Sequence, residues 1–194
     1  MRQSLALANY LHLDLLDRAR DAFQWTPDSG ATLVDVGSQH FYYASVLHAF
    51  FQPQKLTGVE VEGYRVCQDG YSRFDYAMTY IRDLPNTQYQ VMDFCDFNEA
   101  ADGITCFYPF VEPVALVRWR LPLKVFRPEL LAQTMARILR PKGFVFMVNC
   151  GEEEGVNACR LMVGADLKLV GQLICPDPIT KWKELPVVSL WEKG

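Results

Sequence analysis

Ala31-Thr32-Leu33-Val34-Asp35-Val36-Gly37-Ser38-Gln39-His40-Phe41 runs from an apolar stretch through an acid into a glycine turn, and the residues behind it read as helical. A parallel strand buried on both faces needs apolar residues in succession, and the turn after it needs a residue that lets the backbone come close to a ligand. Further on, Leu56-Thr57-Gly58-Val59-Glu60-Val61-Glu62 repeats the pattern of strand and acid. An acid at the end of a second strand is placed to take the two hydroxyls of a ribose. In this order the two segments predict an α/β sheet that binds an adenosine-containing cofactor.

Composition sets the frame. The 194 residues are 50% apolar and 22% charged, which describes one ordinary globular domain over residues 1–194 with a sizeable core. The net charge of -4 argues against a partner held by global electrostatics, while leaving a local basic patch free to meet phosphate. Six cysteines, Cys67, Cys95, Cys106, Cys150, Cys159 and Cys175, show no Cys-x-x-Cys spacing and several fall in apolar runs, so they read as reduced packing residues. Asn9, His12, Asp14 and Asp17 interrupt the amino terminus too often for a secretory signal, and no run approaches a membrane span. A soluble cytoplasmic protein without a membrane partner is expected.

Periodicity then orders the chain. Ala8, Leu11, Leu15, Ala19 and Phe23 recur at helical spacing, and residues 1–30 form a leading helix and turn. Strands are expected at Thr32 to Val36, Leu56 to Val61, Tyr89 to Phe94, Ile104 to Tyr108 and Phe144 to Val148. Helices are expected from about Tyr42 to Phe51, from about Val66 to Leu84, from Pro128, and from Glu152 to Asp166. Leu167 to Ile174 and Pro186 to Trp191 read as a terminal antiparallel pair joined by a proline-containing loop. Residues 110–127 carry two prolines, four cations and, besides Phe110, the aromatics Trp119 and Phe126, too much for a minimal loop, and they are expected to cover the substrate side of the site.

This order of elements, with Asp35-Val36-Gly37-Ser38 after the first strand, Gly58-Val59-Glu60 at the second and Leu139-Arg140-Pro141-Lys142-Gly143 before the fifth, resembles the class I S-adenosylmethionine-dependent methyltransferase family. The resemblance implies a doubly wound, Rossmann-like, seven-stranded, mostly parallel α/β sheet with an antiparallel terminal strand, and S-adenosylmethionine across the carboxyl ends of the first four strands. It also implies methyl transfer, with no substrate named. Asp35, Gly37 and Ser38 match the start of the family's Asp-x-Gly-x-Gly-x-Gly loop, whose later glycines are Gln39 and Phe41 here. Glu60 matches the ribose acid, and Val61 would lie against the adenine. Asp93 and Phe94 match the acid and backbone N–H offered to the adenine, with Asp96 competing for the acid's role.

His40 and Phe107 complete the expected cofactor set, His40 as a contact or a packed ring, while His12 and His48 lie in helical segments. Tyr108, Arg118 and Arg120 are the expected substrate residues, and no metal is expected. Phe107-Tyr108-Pro109-Phe110 stands where amino-directed relatives often carry Asp/Asn-Pro-Pro-Tyr/Phe, and the missing amide or carboxylate argues against methylation of base or glutamine amines. The acceptor is expected to be a small molecule, with nucleic acid, protein and a partner subunit left open. Glu152-Glu153-Glu154 reads as the acidic first turn of a helix. The altered loop supports an alternative, a catalytically silent scaffold subunit of the same fold. A nicotinamide oxidoreductase ranks behind both, because only the first glycine of Gly-x-Gly-x-x-Gly is present.

Overall fold

Leu33, Val34, Asp35 and Val36 are all buried, as a strand covered on both faces requires. The computed structural model, which describes residues 3–176 and 184–194 and leaves the side chains of Gln3, Ser4 and Arg118 undescribed, places them in β1 (Thr32–Val36). Parallel to β1 run β2 (Lys55–Glu60) and β4 (Ala101–Phe107); β3 (Thr87–Val91) joins β2, and β5 (Leu139–Cys150) joins β4. β7 (Pro186–Lys193) inserts antiparallel between β5 and β6 (Leu167–Ile174), giving the order β3-β2-β1-β4-β5-β7-β6. This is the seven-stranded, mostly parallel sheet that the order of elements implied, with β4 at its centre. The expected loop between β6 and β7 falls largely on 177–183, outside the described residues.

Alternate residues of β1 serve opposite layers. Leu33 packs with Leu16 of α1 (Gln3–Phe23), Leu47 of α2 (Ala44–Phe51) and Ile81 of α3 (Arg73–Ile81). Val34 and Val36 pack with Met135 of α5 (Pro128–Ile138) and Met162 of α6 (Gly151–Gly164). Among the described residues no helix is long and apolar enough to cross a membrane, and all six cysteines are free thiols.

Among the boundaries that differ from those expected, three have a local cause or consequence. The helix expected from Val66 starts at Arg73: Val66 bridges Ser72 across a turn containing Gly70, and Ser72 and Asp75 form a capping box that nucleates α3. β3 stops at Val91 rather than Phe94 because the Asp93 carboxylate accepts the Cys95 N–H and tightens the chain into a single turn, Phe94–Asp96. β5 starts at Leu139 and takes in Arg140-Pro141-Lys142-Gly143, with Lys142 at φ 64° and a shifted register between Ala101 and Gly103 on β4.

Two residues after β1 explain how the loop departs from glycine. Gln39 and Phe41 both adopt left-handed backbone, φ 49° and 53°, so the chain bends as glycine would bend it while carrying side chains. The Phe41 ring is wholly buried and fills the space over Gly58 of β2, where an added Cβ would come within 2.7 Å of it. Beneath the same turn, Asp35 is completely buried and accepts hydrogen bonds from the Thr105 hydroxyl (2.6 Å) and the Tyr43 hydroxyl (2.8 Å). Burial is the main cause that pushes its carboxyl up from 3.8 to about 6, against the opposing bonds from Thr105, Ser38 and Tyr43.

Left-handed strain at a side-chain-bearing residue costs about 1–2 kcal/mol, whereas emptying a buried Phe site costs about 3–5 kcal/mol. Gln39→Gly should therefore leave stability within about 1 kcal/mol of wild type, and Phe41→Gly should lose about 3 kcal/mol or more; equal losses in chemical denaturation would contradict this account. Asp35 has a folded value above its unfolded one, so its contribution to stability is present below pH 3.8 and lost as pH rises through about 6. Asp35→Asn cannot ionise and should gain on wild type by up to about 3 kcal/mol as pH rises across that window. Paired thermal melts across pH measure it, and a difference independent of pH would refute the assignment.

Candidate cofactor site

The carboxyl ends of β1, β2 and β4, together with the turn after β3, wall an open cleft of about 920 Å³ counting its solvent-filled mouth. Open α/β sheets bind ligands at this edge, where the strand order reverses about β1 and β4. Gly37, at φ 73°, offers bare backbone to the cleft, and an added Cβ there would meet nothing within 4 Å. Its N–H and that of Ser38 donate to the Val59 carbonyl at 2.9 and 3.2 Å, pinning the turn to β2.

Glu60 ends β2 inside the cleft wall and is 5% exposed. One carboxylate oxygen accepts the Gln39 N–H at 2.9 Å, and the other accepts the Glu62 N–H at 2.8 Å and the Arg73 guanidinium at 3.2 Å. Arg73 is itself buried and also lies 3.8 Å from Glu62. A buried charge without a partner would be costly, and these two cancel. Val61, 42% exposed, and Phe94, buried, line the cleft on either side of this cluster.

Asp93, rather than the exposed Asp96, faces the cleft, and its second oxygen accepts the Arg127 guanidinium at 2.5 Å. Segment 110–127 contains α4 (Pro113–Arg118) and a single turn, Leu123–Val125, and brings Phe110, Trp119, Leu121, Val125 and Arg127 to the cleft. Trp119 is clamped from the β2–α3 side, with Arg65 donating to its carbonyl at 3.0 Å and the Arg73 guanidinium 5.8 Å from its ring centroid. Arg120 is exposed and contributes nothing to the lining, and the Arg118 side chain lies outside what is described. Among the described side chains of this segment, the cation at the cleft is Arg127.

Phe107 and Tyr108 line the cleft and also a second cavity, of about 570 Å³ with its mouth, which shares Gly37 and Gln39 with the first. Asp35 and Ser38 stand behind this wall, fully buried, and line neither. His40 also lines neither; its Nε2 lies 3.3 Å from the Cys67 sulfur and its ring meets Tyr76 edge-on. The histidine at the second cavity is His12 of α1, which sequence reasoning set aside as a helical residue. Its spacing beside Ala8, Leu11 and Leu15 on the buried stripe was the available signal. Among the described residues no group of three His, Cys, Asp or Glu side chains is placed to hold a metal.

No family model and no curated protein matches the sequence. Solved structures do match its fold. A candidate methyltransferase in complex with the Trm112 methyltransferase activator, from Haloferax volcanii, is 16% identical at a TM-score of 0.65, covering 90% of this chain and 87% of that one. The N-methyltransferase NodS from Bradyrhizobium japonicum is 11% identical at 0.64, with coverage of 95% and 94%. Geranyl diphosphate C-methyltransferase from Streptomyces coelicolor, solved with Mg2+, geranyl diphosphate and S-adenosyl-L-homocysteine, is 12% identical at 0.63, with coverage of 87% and 74%. With its strand order, its inserted antiparallel β7 and its cleft at the carboxyl ends, this chain has the Rossmann-like fold of the class I S-adenosylmethionine-dependent methyltransferases.

Proposed function

We propose that this protein binds S-adenosylmethionine in the cleft and transfers its methyl group to an acceptor. The observation that carries this reading is the convergence of Gly37, Glu60 and Asp93, from three successive strand ends, on one cleft. The donor set suits the cofactor. A carboxylate has roughly four lone-pair positions, and Glu60 uses three, so one position is open for a ribose hydroxyl and Arg73 is the neighbour that yields to a second. Val61 and Phe94 would flank the adenine, and Asp93 would meet its amino group while Arg127 holds the carboxylate in place. Asp35 and Ser38 support the turn from behind.

When bound, the cofactor supplies a methyl group already activated on a sulfonium. What remains for the chain is to align the reactants and exclude water. Phe107, Tyr108 and Trp119 present aromatic faces around the cleft that both shed water and favour a cation. The pairing of Glu60 with Arg73 is the observation that favours the alternative, a silent scaffold, since a carboxylate that never releases its arginine would hold ribose weakly. A partner subunit is compatible with either reading, as the Haloferax volcanii match is solved with an activator.

Calorimetric titration decides between cofactors: S-adenosylmethionine and S-adenosylhomocysteine should bind and NAD should not. Binding of neither sulfur compound would refute the proposal. Glu60→Gln should weaken S-adenosylhomocysteine binding by about 1.5–3 kcal/mol, the worth of a charged hydrogen bond. Glu62→Gln should cost less, because the Glu62 carboxylate is engaged by Arg65 at 2.7 Å. The reverse ranking in folded variants would move the ribose contact to Glu62.

A further inference from the structure

The second cavity lies between α1 and the tops of β1 and β4, and four of its residues, Gly37, Gln39, Phe107 and Tyr108, also wall the cleft. Among the described residues its remaining walls are aliphatic or aromatic apart from one imidazole, and none is Asp, Glu, Lys or Arg. An ionised ligand would lose its hydration there without compensation. His12 stacks on Tyr43 (centroids 4.4 Å apart, planes 9° apart), meets Tyr42 edge-on at 5.5 Å and tilts against Phe107 at 4.7 Å.

The tautomer of His12 follows from its one hydrogen bond. Nδ1 lies 2.7 Å from the Ala8 carbonyl, an oxygen that can only accept, so Nδ1 carries the proton and Nε2 carries a lone pair. Among the described residues no group bonds Nε2. The titratable groups packed around the ring are Tyr42 and Tyr43 after β1, with Asp35 behind Tyr43, and Tyr108 after β4. Burial holds the imidazole below its ordinary value, outweighing the Ala8 bond, so it is neutral at neutral pH.

From this geometry we infer that the second cavity is the acceptor chamber, that it takes a flat, uncharged aromatic hydroxyl compound, and that His12 Nε2 receives the hydroxyl proton. The inference rests on the assignment of the cofactor to the adjoining cleft. The step balances: the O–H pair stays on oxygen and forms the new O–C bond, the C–S electron pair returns to sulfur as a neutral thioether, and the proton passes to Nε2 and then to water. Charge on the acceptor is thus created only beside the base, in a chamber that rejects acceptors charged beforehand. Acceptor choice therefore rests on His12 and the aromatic walls, and not on the cations of segment 110–127.

The probe is 4-nitrophenol, whose absorbance reports its ionisation, at a pH where the free compound is mostly protonated and with S-adenosylhomocysteine present. Wild type should bind it saturably as the neutral phenol, with its absorbance displaced to longer wavelength by the hydrogen bond to Nε2 and without the phenolate band, while 4-nitrobenzoate should not bind. Leu11→Trp, which fills the chamber, should weaken probe binding by about tenfold or more. His12→Phe keeps the ring stack, and should still bind the probe without that displacement; His12→Leu serves if that variant misfolds. Nitrogen-15 spectra of the wild-type imidazoles should show His12 protonated on Nδ1, with the Nε2 signal moving when the probe is added. Unchanged probe affinity in Leu11→Trp, no displacement of the absorbance in wild type, or a displacement that survives loss of His12 overturns the inference. Binding of S-adenosylhomocysteine is measured on the same samples: its failure with the probe still bound sinks only the cofactor assignment, and the opposite result sinks only the acceptor chamber.

Discussion

The Glu60 carboxylate is the constraint on which the site depends. By accepting the Gln39 N–H it holds the turn after β1 against the end of β2, and by accepting the Glu62 N–H it shapes the start of the next segment. The Val59 carbonyl completes the junction by taking the Gly37 and Ser38 N–H groups. A carboxylate that receives backbone N–H bonds in a buried wall is fixed in place, so the left-handed residues above it have little freedom to relax. Tyr89 adds a further hold, donating from its hydroxyl to the Gln39 carbonyl.

From this junction the charges of the cleft are arranged in pairs. Glu60 and Glu62 meet Arg73, Glu62 meets Arg65, and Asp93 meets Arg127. Two of those arginines also grip Trp119, so the acid in the cleft wall and the indole from segment 110–127 belong to one network. The second cavity has no such network. Its described walls are aliphatic and aromatic with one imidazole, and the two spaces meet at Gly37, Gln39, Phe107 and Tyr108.

The loop after β1 shows why a motif read residue by residue misleads. Gln39 and Phe41 look like losses when set against a glycine pattern, yet both keep the left-handed backbone that glycine would supply. Phe41 is retained by what its ring contributes to the core over Gly58. That exchange of strain for burial involves β2, a neighbour in space, and no local pattern records it.

The sequence by itself determined the sheet: apolar runs such as Leu33–Val36 and Phe144–Val148 must be buried on both faces, and the alternation of strands with amphipathic helices leaves few ways to do so. It also determined that Glu60 ends the second strand, because an acid at a strand terminus is placed by the strand, whereas Asp93 lies in the turn beyond the end of β3. Tertiary structure decided which side chains reach the ligand space. Asp35 alternates with Val34 and Val36 and so turns into the α1–α2 layer, away from the cleft, while Arg127 rather than Arg120 arrives at Asp93 because the chain coils through α4 before it reaches α5. His12 lies far from Phe107 along the chain and meets it only when α1 docks over β1 and β4. Contacts between residues so distant in sequence depend on packing of whole elements, and local periodicity carries no record of them.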